Sequence, residues 1–485
     1  MAAPAAEVIP RKSSSGFFLG LSFPAVCCVL AALIILAFAT PVFGGIRGIG
    51  FTAPVWGPLL ALGLVPVSYI EGRAVDWAPI GASYLIRRVT GQHRYRVRVW
   101  RTRPEGTLGL PGNRAAMKMH VDEVTGAVMV RDPHKKTLAV IASVKSGSFL
   151  LDETDKKNAK GNGYGRLLST LGAADGVKLI QILVRSTADA GADVRRYWAQ
   201  NRVQTGTGSP VQASYRDLLR DAASFTERHE TTITVVVDLK KVKSAVRSYG
   251  GGMQGAAAVM RQRMRTLESL LDAAGLQLRG WLTKEDLATA IRCAYDPAAA
   301  TRLQIHPEQV EDLEDAGPMA VDGGWTQVRT DSARHKVMRV AKWPRAKAEI
   351  GFLKDSIMVP GTVLAASFLY RPVPAAKAAK DARREGSREV EGFKDRQRAG
   401  THSTVVNEMD HAQAVEHLAE LNTGFADMDH TVLLTVSAPS KEALAQGVED
   451  VRNAVREVMA EPRTVICQQD ELFEAATMPL GLGVR

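Results

Sequence analysis

Hydrophobic positions cluster at the start of the chain before they begin to alternate. No charged residue occurs from Phe17 to Gly44, and Val26–Phe38 is almost wholly apolar. After the break Gly44–Gly48, residues Ile49–Ile70 are again uncharged. Pro54, Pro58, Pro66 and three glycines interrupt this second run, and Trp56 and Tyr69 lie toward its ends, where interfacial aromatics are favoured. About 20 apolar residues span a hydrocarbon core of ~30 Å, and Pro or Gly is tolerated where neighbours satisfy the freed backbone groups. The first run exceeds the roughly 7–15 apolar residues of a signal peptide, and a second run follows at once. The pattern predicts a transmembrane hairpin over 17–72, behind a short cytoplasmic tail at 1–16.

Beyond Pro104 short apolar runs alternate with longer amphipathic stretches. Thr137–Val144, Lys178–Arg185 and Thr231–Leu239 are rich in β-branched residues and predict strands. The polar, glycine-bearing stretch Asp152–Gly165 reads as a loop. Ser209–Glu227, Met253–Ala274 and Lys284–Tyr295 read as helices. Gly275 stops the second of these, and Thr283 with Asp286 can cap the third. Residues 298–334, with turns at Gly317-Pro318 and Asp322–Trp325, read as a connector. Lys336–Trp343, Thr362–Arg371, Thr431–Val436 and Thr464–Cys467 then predict strands. Ala375–Ala399, Thr404–Leu421 and Lys441–Met459 predict helices, the last capped by Ser440. The expected fold class is α+β: an N-terminal two-helix transmembrane hairpin, then a cytoplasmic body of two α/β two-layer units. These occupy 111–297 and 335–485, behind a basic juxtamembrane segment at 73–110.

Charge sets the orientation. Lys+Arg outnumber Asp+Glu by 62 to 51, for a formal +11. The excess gathers just after the second run, at Arg73, Arg87, Arg88, Arg94, Arg96, Arg98, Arg101 and Arg103, against Glu71 and Asp76. The positive-inside rule puts both ends of the hairpin in the cytoplasm and the protein in the cytoplasmic membrane as a multi-pass chain. Arg87, Arg88, Arg94, Arg96, Arg98, Arg101 and Arg103 are the candidate contact residues. Each near a membrane surface is worth about 1 kcal/mol toward anionic lipid. Charge alone also admits DNA contact, which is not favoured. In Arg94–Arg103 basic and apolar residues alternate as in a strand, which makes this juncture a docking edge for a partner.

Candidate chemistry is sparse. A P-loop needs Gly-Lys-Ser/Thr, whose lysine reaches the phosphates, and the sequence has no Gly-Lys dipeptide. Gly161–Arg166 follows a charged run rather than a strand, and Gly250–Gly252 lacks the GxGxxG spacing, so both read as local backbone features. His411 and His417 stand six apart on one predicted helix and do not face each other. Cys27, Cys28, Cys293 and Cys467 have neither disulfide nor metal spacing. No HExxH or GxSxG occurs. No catalytic residue, metal or cofactor is expected, and the chain is read as a non-enzyme.

Two resemblances follow from particular residues. The paired runs followed by Leu85–Arg98 look like the small PrgI-type membrane proteins of conjugative elements. Thr231–Ala257, Leu267–Pro297 and Thr431–Val455 resemble the non-ATPase half of conjugative, type IV secretion ATPases. Together they are similar to an actinobacterial two-span membrane protein of conjugation or type IV secretion-like loci. That resemblance implies a structural subunit of a secretion channel whose partners are a separate secretion ATPase and other membrane subunits; anionic lipid is the partner expected from the arginines, and association with further copies of itself is left open. The same outline resembles the EccE-type component of type VII secretion, which is one alternative; the basic charge leaves a membrane-tethered nucleic-acid-binding protein as another.

Overall fold

The computed structural model describes residues 6–7, 23–42, 46–64, 74–97, 104–146, 152–189, 191–201, 210–222, 227–305, 316–344, 348–349, 351–374 and 427–484. Ala6–Glu7 (β1) pairs with a second short strand much later in the chain. The two apolar runs form helices α1 (Phe23–Val42) and α2 (Ile46–Leu64). They pack antiparallel through small residues: Ala25 and Ala32 are buried, and a Cβ on Gly63 would lie 2.9 Å from Val29.

The expected transmembrane hairpin is corrected. Among the described residues no helix is long and apolar enough to cross a membrane. In α2, Pro54 and Pro58 lie inside the helix and Arg47 in its first turn. The multi-pass placement in the cytoplasmic membrane falls with the hairpin.

A third helix, α3 (Ala74–Val89), and a short strand, β2 (Arg94–Arg96), lead into the body. There β3 (Lys118–Val121), β4 (Val128–Asp132) and β5 (Thr137–Ser146) form a meander. Next come α4 (Thr154–Ala173), β6 (Val177–Ala188), α5 (Ala192–Asn201), α6 (Pro210–Ala222) and β7 (Glu227–Asp238). A short α7 (Lys243–Ser248) precedes the long α8 (Gly252–Ala273), β8 (Leu276–Trp281), α9 (Lys284–Tyr295) and α10 (Ala299–Ile305). The expected connector thus holds α10 and the strands β9 (Ala320–Gly323) and β10 (Val328–Arg329). After β11 (Arg334–Lys342) come β12 (Ala348–Glu349, the partner of β1), α11 (Lys354–Ile357) and β13 (Val363–Pro372). The chain ends with β14 (Met428–Ala438), α12 (Lys441–Glu457), β15 (Glu461–Thr464) and α13 (Gln469–Thr477). The helices expected at Ala375–Ala399 and Thr404–Leu421, including His411 and His417, lie outside the described residues.

Thirteen strands form one antiparallel sheet in the order β2-β9-β10-β11-β14-β13-β6-β7-β5-β4-β3, with β15 added to β11 and β8 to β5. The order contains a repeat. In the first run β7 sits between β5 and β6, and β4 and β8 share the outer side of β5. In the second, β14 sits between β11 and β13, and β10 and β15 share the outer side of β11. The halves meet where β6 and β13 pair antiparallel, Ile182 opposite Phe368, so an approximate twofold relates them. Both expected α/β units therefore contribute strands to a single sheet.

Each face of the sheet is covered, which is why its central strands read as continuous apolar runs. Side chains alternate between faces: Val235 and Val237 join the cluster under α8, whereas Val236 joins the opposite cluster under α9 and α13. In the second half, α12 covers Leu434 and Val436 through Leu444, Val448 and Val451.

Several boundaries differ from expectation. The stretch expected as a loop at Asp152–Gly165 belongs to helix α4, whose Leu167 and Leu171 are buried. Its glycines permit close packing, since a Cβ on Gly163 would lie 2.6 Å from the Cα of Ala274. The helix expected to reach Glu227 ends at Ala222, and Glu227 opens β7. The last strand lies at Glu461–Thr464 rather than Thr464–Cys467. The caps match expectation. Thr283 and Asp286 form a reciprocal capping box, Ser440 accepts from the Ala443 N–H, and Gly275 takes a φ of +67° after α8.

Candidate functional site

The arginine juncture is built by α3 and β2 against the C-terminal cap. The acidic Asp76 lies in the first turn of α3, and Arg87 and Arg88 lie in its last turn, the arrangement the helix dipole favours. Trp77 and Tyr84 face the body and meet Trp325 at centroid distances of 5.8 and 5.3 Å, the second edge to face. A Cβ on Gly81 would lie 2.9 Å from the Trp77 ring. This glycine lets the indole fold back along its own helix.

Arg87 is the best-held cation of the juncture. One guanidinium nitrogen lies 2.8 Å from Asp470 Oδ2 and 3.0 Å from Glu471 Oε1. The other donates to the Cys467 carbonyl at 2.8 Å. Its side chain is only 15% exposed. The acceptors lie at the start of α13, whose first turn contains both acids. Cys467 reaches this position with a φ of +63°, and its N–H donates to the Trp325 carbonyl at 2.9 Å. Burial pushes the Cys467 thiol up to about 11, so it stays protonated at neutral pH. Arg87 Nε and Asp470 Oδ1 are buried there without hydrogen-bond partners.

The other expected residues divide. Arg88 is exposed, and its guanidinium donates to the Tyr84 hydroxyl at 3.1 Å. Gly91, with a φ of +72°, turns the chain into β2. There Arg94 opposes Asp322, Tyr95 opposes Val321, and Arg96 opposes Ala320 of β9. Tyr95 points inward, while Arg94 and Arg96 are exposed. The Arg94–Asp322 ion pair, at 3.5 Å and largely exposed, contributes at most ~1 kcal/mol. Arg98, Arg101 and Arg103 lie outside the described residues. The alternating pattern is thus a strand at Arg94–Arg96, and its paired edge is used within the chain. Sequence reading missed the acceptors, Asp470 and Glu471, and the stacking partner Trp325. These stand hundreds of positions from α3, and no local pattern joins them.

Beneath the cap is a closed polar network. Glu474 accepts from the Tyr295 hydroxyl at 2.7 Å and from Arg114. Burial raises the Tyr295 hydroxyl far above its ordinary range. His335 is fully buried beside the Phe473 ring. Its Nε2 lies 2.7 Å from the Thr330 hydroxyl and its Nδ1 lies 2.8 Å from that of Ser437. Thr330 donates its own hydrogen to the Tyr295 carbonyl. It must therefore accept from His335, which fixes the Nε2–H tautomer, and Ser437 donates to Nδ1. Burial pushes His335 down to about 3. Each of these polar groups already has a partner within the fold. What remains open to other molecules is the outward side of α3, where Leu85, Ile86 and Val89 are exposed.

A family model described as "EccE: Putative type VII ESX secretion system translocon, EccE" matches residues 225–339. The match is to secretion machinery. It begins just ahead of β7 and runs through α10 into β11, and so includes Trp325 and His335. No curated protein matches the chain. The match supports a component of a secretion system, with other components of that system as its partners. The match backs the type VII alternative better than the type IV or conjugative reading, for which it gives no support.

Proposed function

We propose that this chain is a non-enzymatic structural component of a type VII secretion machine, similar to EccE. The match over residues 225–339 carries the reading. It runs from β7, in the first half of the sheet, to β11, in the second. The polar groups of the cap serve the fold, and the outward side of α3 offers other components an apolar contact. Leu85, Ile86 and Val89 form one such patch, and Leu30, Ile34 and Phe38 of α1 are also exposed. Large apolar side chains left exposed together mark interaction sites. A secretion ATPase is among the partners expected there.

Affinity capture from the native host, with nuclease treatment, tests the proposal. Other secretion components should co-purify with the full chain and resist nuclease. Reversing the patch with L85E, I86E and V89E together should reduce their recovery while the far-UV circular dichroism stays unchanged. Recovery of nucleic acid alone, or of no secretion component, would refute the assignment.

A further inference from the structure

One end of the first half-sheet carries a concentration of positive charge that the secretion reading does not use. The β4–β5 turn, the turn after β7 and the short α7 come together there. The Leu239 N–H donates to the Lys136 carbonyl at 3.0 Å, and the Asp238 N–H to that of Gly176 at 2.8 Å. Arg131, Lys136, Lys240, Lys241, Lys243 and Arg247 are all exposed on these segments. None of the six has an ion-pair partner among the described residues. The acids nearby are otherwise engaged or few. Asp132 accepts from the backbone of His134 and Lys135, Asp238 pairs with Lys178 at 3.5 Å, and Asp175 is exposed.

Between these cations lies a cleft of about 170 Å³. Arg131 and Lys243 stand on its rim, and Leu239, Val246, Met253 and Ala256 supply its apolar lining. Small-molecule sites span roughly 300–1,000 Å³, so this cleft suits a single side chain. Its lining has no aromatic ring on which a nucleic-acid base could stack.

The fold itself does not require the charge. The equivalent end of the second half has the β10–β11 turn, Thr330–Ala333, and the turn Pro439–Lys441 after β14. Its acid Asp331 is paired with Arg292 at 3.0 Å, Glu442 stands beside Arg334, and its cations are three, Arg329, Arg334 and Lys441, rather than six. Six uncompensated cations repel one another and weaken the compact state. Six unpaired cations at one of two equivalent places, against three with an acid beside them at the other, point to a ligand of opposite charge.

We propose that this cleft and its cationic rim bind an acidic segment of another polypeptide, which seats one bulky apolar side chain between flanking carboxylates. The carboxylates meet Arg131, Lys240, Lys241 and Lys243, and the apolar side chain displaces water from Leu239, Val246 and Met253. Attraction of this kind acts over a Debye length of about 8 Å at physiological salt, so binding weakens as salt rises.

The test uses the purified full chain and a labelled peptide of aspartates and glutamates around one central leucine. Its outcome is therefore independent of which machine the protein serves. Fluorescence anisotropy should register saturable binding at low salt. The triple reversal K240E, K241E and K243E should weaken it by roughly tenfold or more, as loss of paired charges does. K441E, at the equivalent end of the second half, should leave it unchanged. Replacing the peptide's leucine by serine should also weaken binding roughly tenfold, since that removes one buried aliphatic side chain. Equal binding by the triple variant, or by the leucine-free peptide, would overturn the proposal. Tighter binding of single-stranded DNA of matched charge, or of phosphatidylserine vesicles, would overturn the assignment to a polypeptide.

Discussion

His335 is a residue whose environment makes a measurable demand on pH. It is buried neutral between Thr330 and Ser437, with its pKa pushed down to about 3. In the unfolded chain a histidine takes up a proton near pH 6.5. Stability from this site is therefore complete above about pH 6.5 and falls as the pH drops toward 3, because the unfolded state binds the extra proton. Glu230 and Asp296, whose carboxyls are held below their usual range, lose their contributions only at more acidic pH. Between pH 6.5 and 5 the protein should thus lose about 2 kcal/mol through His335 alone. Urea denaturation across that window should give this slope, and H335Q should flatten it. An equal slope in both proteins would show that His335 does not control it. Arg87 poses a different question of placement. Its arginine-rich context was visible in the sequence, but its role was not. Positive-inside reasoning weighs arginines as a group, whereas the fold singles out Arg87 for the acids of α13 and leaves Arg88 and Arg96 exposed.

Among the elements, the strands were legible and α4 was not, for reasons that the packing supplies. Thr231–Leu239 and Thr431–Val436 are dense in β-branched and aliphatic residues, and burial on both faces allows no other reading of such runs. In contrast, Thr154–Ala173 opens with Thr-Asp-Lys-Lys-Asn and contains three glycines before residue 166, a composition that favours a loop. Tertiary contact with α8 overrides that preference, and the glycines have unequal duties. At Gly163 a Cβ would lie 2.6 Å from the Cα of Ala274, whereas at Gly165 nothing lies within 4 Å. In a helix interior alanine is favoured over glycine by about 1 kcal/mol. G165A should therefore stabilise the protein by up to about that amount. G163A should destabilise it by roughly 1–3 kcal/mol, because overpacking forces α4 away from α8. Thermal unfolding of the two variants should move the midpoint in opposite directions. A rise in both would mean that α4 does not pack as closely as described. The apolar N-terminal runs teach the converse lesson. Their helices were legible, but Arg47 and the internal prolines of α2 argue against the span that hydropathy alone suggested.

At the scale of the whole molecule, the union of all these strands in one sheet was not legible in the sequence. Nothing in the run Lys178–Arg185 says that its partner is a strand nearly two hundred residues later, yet Ile182 opposes Phe368. The union is fastened from the far end of the chain. The amide nitrogen of Gln181 lies 2.9 Å from Ser367 Oγ and 3.0 Å from the carbonyls of Ala475 and Met478. Its amide oxygen accepts from Gly481 at 2.8 Å. Thr234 donates to the Pro479 carbonyl at 2.9 Å. Leu480 and Leu482 complete the cluster that contains Leu179, Val236, Leu369 and Leu433. A chain stopped after Thr477 would leave the buried Gln181 amide oxygen and Thr234 hydroxyl without these partners, each at a cost of about 1–3 kcal/mol. It should show a lower midpoint in urea and faster proteolysis of both halves together. The same strap bears on synthesis. The first half leaves the ribosome long before residues 478–484, which seal it, have been made. The nascent protein therefore waits with an open seam until that strap has emerged, and a product stalled before it exposes the seam to the cell's quality control.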